Sequence, residues 1–358
     1  MHTSRKQFLF VLLILSCLLW SCKTVQPFVS VKGKNKIEGE SFLLADTTSS
    51  NFLYTSIVKG SVRLRSTYLP FDSGSIIYQE GTDYTINYKN GTIARTVNSR
   101  IPNYAKYTLF GKTDFHQNNF SNYSNNPYFI WVDYTTKQND LLVETTDQSN
   151  YLAEFKNKLL RGSPVNIVSY GNSISAGGEA SAQQYRFQNR WIDYLKQTYK
   201  ATNISWEDAS LPGYTTTEAI LKWDATVGQK NPDLILLGWG MNEANVGGIT
   251  PSEYKNNLIA LAQKSKQSKN AEVIIYSCFR PNENWHYASH KMESYTQAAK
   301  EAAAAANCAY IDVYGVFEKV FARKDQPSLL ANNINHTNNF GHWLYYKAFT
   351  SLSFKGLK

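Results

Sequence analysis

The sequence predicts an α/β protein: a three-layer α/β/α domain on a five-stranded parallel sheet, preceded by a small all-β, sandwich-like region. Three observations carry this expectation. From residue 165 onward, short apolar runs rich in β-branched residues alternate with stretches of helical period. Between about 50 and 147 the texture is that of strands, and no helix-period run appears. The composition, 42% apolar and 18% charged over 358 residues, is that of a folded protein long enough for two cores.

The first 22 residues stand apart. Arg5 and Lys6 precede an apolar run from Phe8 to Trp20, interrupted by Ser16 and Cys17. The run is short for a membrane span and fits the apolar core of a signal peptide. It ends Leu19-Trp20-Ser21-Cys22, which resembles the bacterial lipoprotein box. That resemblance implies lipidation at Cys22 and a place in the bacterial cell envelope, held to a membrane by the lipid. Cys17, after Ile14-Leu15-Ser16, is a second candidate, and an ordinary secretory signal with an incidental Cys22 is the alternative. The expected organisation is a leader over 1–22, a tether over 23–48, a β-sandwich-like region over 49–150 and the α/β domain over 151–358.

Loss of the leader removes Arg5 and Lys6, so the net charge falls from +9 to +7. The Lys and Arg residues are scattered, with no dense basic run, which argues against a nucleic-acid partner. A mild attraction to acidic polysaccharide or a membrane surface is compatible with this charge. Beyond the leader the only cysteines are Cys278 and Cys308, each in an apolar, strand-like run. Buried free thiols are the default reading, and a disulfide is the alternative in an oxidising compartment. No grouping of His and Cys suggests a metal site, and the chemistry below requires no cofactor.

Within the β region, Tyr84-Thr85-Ile86-Asn87-Tyr88 alternates apolar and polar residues. Asn90-Gly91 then supplies a hairpin turn into Thr92–Arg95. Val62–Arg65 and Tyr128–Val132 read as further strands. The Asn- and Ser-rich stretch Gln117–Pro127 reads as a mobile loop. After 150, strand-like runs at 165–170, 203–208, 233–239, 272–278 and 308–313 alternate with helical patterns near 183–199, 215–227, 252–268, 291–306 and 339–350. This is the signature of βαβ units. In such sheets, sites form beyond the carboxyl ends of the strands.

Four segments fall there. The run Val165–Tyr170 ends at Gly171-Asn172-Ser173, which places a hydroxyl on the turn leaving a buried strand. Ala209-Ser210-Leu211-Pro212-Gly213 follows the next strand, and Gly240-Met241-Asn242-Glu243 the third. Asn335-His336-Thr337-Asn338-Asn339-Phe340-Gly341-His342 precedes the last helix. The glycines at 171, 177 and 178 make no phosphate cradle, since no Lys-Ser/Thr follows and the dinucleotide spacing fails.

In that order the four segments resemble the blocks of the SGNH (GDSL-type) hydrolases, over roughly residues 163–350, with Asn172 and Glu243 where the family usually has Asp. The resemblance implies a serine-dependent ester hydrolase. Ser173 is the expected nucleophile and His336 its base. The N–H groups of Ser173 and Gly213 and the side-chain NH₂ of Asn242 are the expected oxyanion donors, each worth roughly 3 kcal/mol to the transition state. Ser175 lies deeper in the following segment. His342 lies inside a helical pattern and reads as structural.

One position departs from the family. Three residues before His336, where the family usually has Asp, stands Asn333. A neutral amide orients a ring but adds no charge to stabilise an imidazolium. In a serine protease the same change lowers turnover about 10⁴-fold. Three arrangements stay open: a Ser–His dyad oriented by Asn333 or a backbone carbonyl, a carboxylate from elsewhere (Glu243, Glu283 or Asp325), or a weakened enzyme. The expected substrate is an acylated glycan, most simply an O-acetylated one, given the lipoprotein leader, the added β region and a chain with 24 Tyr and 8 Trp. Trp239, Trp285 and Trp343 are candidates for a sugar platform or for packing. The alternatives are a lipase or thioesterase of the same fold, and a non-catalytic glycan-binding lipoprotein.

Overall fold

A computed structural model describes residues 35–140 and 142–354. The leader, Cys17, Cys22 and residues 23–34 lie outside the described residues. The described residues fall within one compact unit.

The chain enters on two small antiparallel sheets. β1 (Asn35–Phe42), β3 (Arg63–Arg65), β4 (Ile77–Tyr78) and β7 (Ile130–Thr136) pair in the order β1-β7-β3-β4. β2 (Ser50–Asn51), β5 (Tyr84–Asn87) and β6 (Thr92–Arg95) form the other in the order β2-β6-β5. The hairpin expected at Asn90-Gly91 joins β5 to β6, with Asn87 opposite Thr92. β7 is buried along nearly its whole length because a strand lies on either side of it.

Residues 35–48, expected within the tether, are instead part of the fold. Glu40 hides this strand from a sequence reading, because a carboxylate argues for solvent. It is fully buried: Lys324 Nζ stands 2.8 Å from its Oε1, and Tyr134 and the Leu53 N–H donate to its oxygens. The Lys324 ammonium also lies over the Phe42 ring. A buried ion pair persists only when its remaining hydrogen-bonding capacity is met, as it is here.

β8 (Thr146–Asp147) pairs in parallel with β14 (Leu352–Ser353), and α1 (Ala153–Arg161) leads into the second part. There β9 (Val165–Gly171), β10 (Ile204–Asp208), β11 (Leu234–Gly238), β12 (Glu272–Tyr276) and β13 (Ala309–Ile311) form the expected five-stranded parallel sheet, in the order β10-β9-β11-β12-β13. β11, flanked on both edges and covered on both faces, is wholly buried and reads Leu-Ile-Leu-Leu-Gly. The edge strand β10 carries Ser205, Glu207 and Asp208 at part-exposed positions.

The helices are α2 (Phe187–Tyr199), α3 (Thr216–Lys222), α4 (Met241–Asn245), α5 (Pro251–Lys269), α6 (Met292–Ala305), α7 (Val313–Phe321) and α8 (Asn339–Phe349). α2 and α7 pack on α8 as one layer, and α3 and α6 on α5 as the other. α2 buries Phe187, Trp191, Ile192 and Leu195, one face at helical spacing. α1, α4 and α7 have no counterpart in the expected pattern; they are five to nine residues long, too short to show a period. Cys278 and Cys308 are both buried and free. Among the described residues no helix is long and apolar enough to cross a membrane, and no cluster of His, Cys, Asp and Glu is suited to a metal ion.

Candidate active site

Ser173 lies two residues past Gly171, the end of β9, on a turn that the sheet holds open. Asn172 donates its N–H to Gly238 O on the neighbouring strand, and its side chain accepts from Ile174 N–H at 3.0 Å. Gly178 N–H closes the turn on Ser173 O at 2.9 Å. The hydroxyl is thereby aimed off the carboxyl end of the sheet. Ser173 Oγ lies 2.7 Å from His336 Nε2, so nucleophile and base meet across 163 residues of sequence. Ser175 points elsewhere: it is buried, against Tyr276 Oη and Gly238 O.

The loop after β10 is tied back to β9, with Leu211 N–H on Gly171 O at 2.7 Å, two residues before Gly213. Gly213 has φ +85°, a left-handed conformation that side-chain-bearing residues rarely adopt. Close approach to the protein is not the reason for glycine here, because a Cβ at this position would meet only open space. Gly240 likewise has φ +116° and starts α4, on which Asn242 stands. The Asn242 side-chain NH₂ donates one hydrogen to Tyr214 O at 2.8 Å, next to Gly213, and keeps a second. The backbone N–H groups of Ser173 and Gly213 donate to no protein atom among the described residues. Each of the three expected oxyanion donors therefore keeps a hydrogen that no protein atom among the described residues accepts.

His336 is set by its own loop. The Asn332 side chain accepts from the N–H groups of Ile334, Asn335 and His336, and Ala331 N–H bonds to His336 O. Burial lowers the His336 pKa below the ordinary imidazole value, which keeps the ring neutral and able to accept the serine proton.

Asn333 does not serve as the orienting residue that its position suggested. Among the described residues no hydrogen bond joins it to His336. Its side-chain oxygen accepts from Asn125 Nδ2 at 3.2 Å and Asn282 Nδ2 at 3.1 Å, on the far side of the loop. Its φ of +55° turns the side chain away, and Asn tolerates that conformation better than most residues. The carboxylates considered in its place are occupied too. Glu243, with a pKa raised by burial to about 6, accepts from Thr216 and Gly240 N–H groups and so fastens α4 to α3. Glu283 pairs with Arg280, and Asp325 caps Ser328. No carboxylate hydrogen-bonds to His336 among the described residues. What stands beside its Nδ1 is Gly178, where an added methyl group would come within 3.4 Å. His342 is buried on the other side of Gly178, with its Nε2 3.3 Å from Gly178 O and its ring stacked on Phe187. Burial pushes its pKa down to about 3.

The segment 117–127, expected as a mobile loop, is a fastening. Asn125 is fully buried; its side chain donates to Leu330 O, Pro327 O and Asn333 Oδ1, and its N–H to Ala331 O. Asn125 and Asn282, both missed from sequence, hold the back of the His336 loop. Their signal was only the Asn richness that also marks loops. Of the three tryptophans considered, Trp239 and Trp285 are buried and Trp343 is half-buried on Phe340. Cavities of about 1080 and 390 Å³ are lined by neither Ser173 nor His336; the smaller lies behind Asn333.

Residues 169–344 match the GDSL-like lipase/acylhydrolase family. Among curated proteins, an uncharacterized lipoprotein, YqeF of Bacillus subtilis, is 23% identical over 117 residues, covering 31% of this chain and 47% of that protein. The match thus spans about half the length of that relative. Among solved structures, Axe2, an acetylxylan esterase from Geobacillus stearothermophilus, is 19% identical over 52% of this chain and 92% of its own, with a TM-score of 0.44. An α/β hydrolase from the metagenome of Lake Arreo, Spain, is 18% identical over 52% and 94%, with a TM-score of 0.44.

Proposed function

We propose that this protein is a serine-dependent carboxylic-ester hydrolase that removes O-acetyl groups from a glycan, and that it works at the bacterial cell envelope, anchored through lipid on Cys22. The observation that carries the enzymatic part is the 2.7 Å contact between Ser173 Oγ and His336 Nε2, and the unspent donors of Ser173, Gly213 and Asn242 at the same end of the sheet support it. Ser173 attacks the ester carbonyl while His336 takes its proton. The developing oxyanion is met by the two backbone N–H groups and the Asn242 NH₂. Collapse expels the sugar alcohol, which takes the proton back from His336. Water, deprotonated by the same ring, then releases acetate from the serine. The lipoprotein-like leader and the added β region support a glycan over a free lipid.

The test is hydrolysis of p-nitrophenyl acetate against longer acyl esters by residues 23–358, with Ser173→Ala as control. Acetate release that vanishes in the control supports the reading. A preference for long chains moves the assignment to a lipase or thioesterase. Absence of Ser173-dependent turnover on any ester refutes an enzyme and leaves a glycan-binding lipoprotein.

A further inference from the structure

We infer that the loop 282–289 and residues 114–117 of the β region together form a subsite for the sugar part of a neutral, acylated oligosaccharide, beside the reacting ester. This rests on the glycan-esterase reading above and adds where the glycan lies and what recognises it.

The loop is anchored at both ends to the catalytic groups. At its start, Asn282 N–H bonds to Ile334 O at 2.7 Å, and its side chain to Asn333 O at 2.9 Å, just before His336. At its end, Ser289 N–H bonds to Asn245 Oδ1 at 3.0 Å, one turn after Asn242 on α4. The loop therefore starts on the back of the segment that carries the base and ends on the helix that carries one oxyanion donor. A sugar attached to an ester held at Ser173 would extend toward it.

Between those anchors the loop is clasped by the β region. Phe115 N–H bonds to Asn284 O at 2.8 Å and His286 N–H to Phe115 O at 2.9 Å, a short bridge of sheet type between two otherwise unrelated segments. Trp285 is buried beneath, its indole N–H on Gln117 Oε1. On top stand three rings that remain accessible: His116, His286 and Tyr287. His116 Nε2 lies 2.7 Å from Tyr287 Oη, and His286 Nδ1 lies 2.8 Å from Asp114 Oδ1. The rings meet at centroid distances of 5.0 to 5.6 Å. Tyr287 keeps 37% of its surface exposed although it is fixed on several sides.

A rigid set of exposed rings with fixed polar atoms suits a ligand that has apolar C–H faces and hydroxyl edges, which is a sugar. His286 Nε2 has no protein partner among the described residues and is free to meet a hydroxyl. Asp114 adds a negative charge, and among the described residues no Lys or Arg hydrogen-bonds to His116, His286, Tyr287 or Asp114, so an anionic sugar is disfavoured. A long acyl chain gains little from polar ring edges.

The test compares kcat/KM on a neutral acetylated xylo-oligosaccharide with kcat/KM on p-nitrophenyl acetate in wild type, Tyr287→Ala, His116→Ala and Tyr287→Trp. The ratio of the two is independent of the fraction of enzyme that folds. It is expected to fall about tenfold in each alanine variant, mainly through KM on the oligosaccharide, and to be largely retained in Tyr287→Trp. If wild type deacetylates the oligosaccharide and the alanine variants leave the ratio unmoved, the subsite is overturned and the glycan reading stands. If wild type turns over esters but no acetylated oligosaccharide, the glycan reading falls and takes the subsite with it.

Discussion

The two parts of this molecule grip the same loop from opposite sides, and they do so by different means. The α/β part meets the front of the 330–336 loop through Ser173 on His336, and the candidate catalytic groups Ser173, Gly213 and Asn242 stand where strands β9, β10 and β11 end. The back is held by amides, by Asn125 from the β part and, beside it, by Asn282 from the loop after β12. In the front, position follows from the sheet, because each strand end delivers one group. At the back, position follows from hydrogen bonds between segments about 200 residues apart. The difference teaches that the β part is fastened to the loop that carries His336, without a hydrogen bond to Ser173 or to the His336 side chain among the described residues.

The largest effect that distinguishes front from back is at the front. Ser173→Ala or His336→Ala is expected to lower kcat by about 10⁴-fold or more, with little change in melting temperature. If turnover survives either substitution, the front does not do the chemistry. The back is broken most severely far from the site, at the buried pair that joins β1 to the segment after α7. Lys324→Met leaves Glu40 charged and unpaired and is expected to cost about 3–5 kcal/mol in denaturant unfolding. Adding Glu40→Gln should restore much of it; if the double variant is no better, packing and not charge is what Lys324 supplies.

Asn125→Ala probes the support directly. It leaves buried carbonyls without a donor and is expected to cost about 1–3 kcal/mol of stability, with a loss of turnover far smaller than that of Ser173→Ala. A stability loss with unchanged kcat would separate the support from the site. Asn333→Asp is expected to do less: its oxygens still have two amide donors and do not reach the His336 ring, so kcat should move by less than about threefold, against the 10⁴-fold of an orienting carboxylate. A rise of tenfold or more would mean that charge reaches the ring from the back after all.

The smallest effect is on pH. The active form of His336 is neutral, and burial lowers its pKa, so the acid limb of kcat/KM is expected below pH 6.5. A limb above that value would reveal a nearby carboxylate holding the proton on the ring. His342 adds a stability trend with the opposite readout. Its folded-state pKa, about 3, lies below the ordinary imidazole value of 6.5. The unfolded chain therefore binds the proton first, and stability is lost as pH falls from 6.5 toward 3. Acid titration of unfolding in His342→Gln should show a shallower decline.

The amino-acid sequence by itself determined the parallel sheet and the four segments at its strand ends. Continuous apolar runs such as Leu234–Leu237 are a local property of fully buried strands, and the turns after them are local too. It could not place Asn333. Spacing put this residue where a ring-orienting group stands in related enzymes, but a left-handed backbone and two amide donors from distant segments turned it to the back of the loop. Nor could it admit residues 35–42 to the fold or Asn125 to the core. Glu40 and Asn125 are buried only because Lys324 and the carbonyls of the 327–333 loop satisfy them. The reason is general: an apolar run announces its own burial, whereas a polar residue is buried by its partners, and those are chosen in three dimensions.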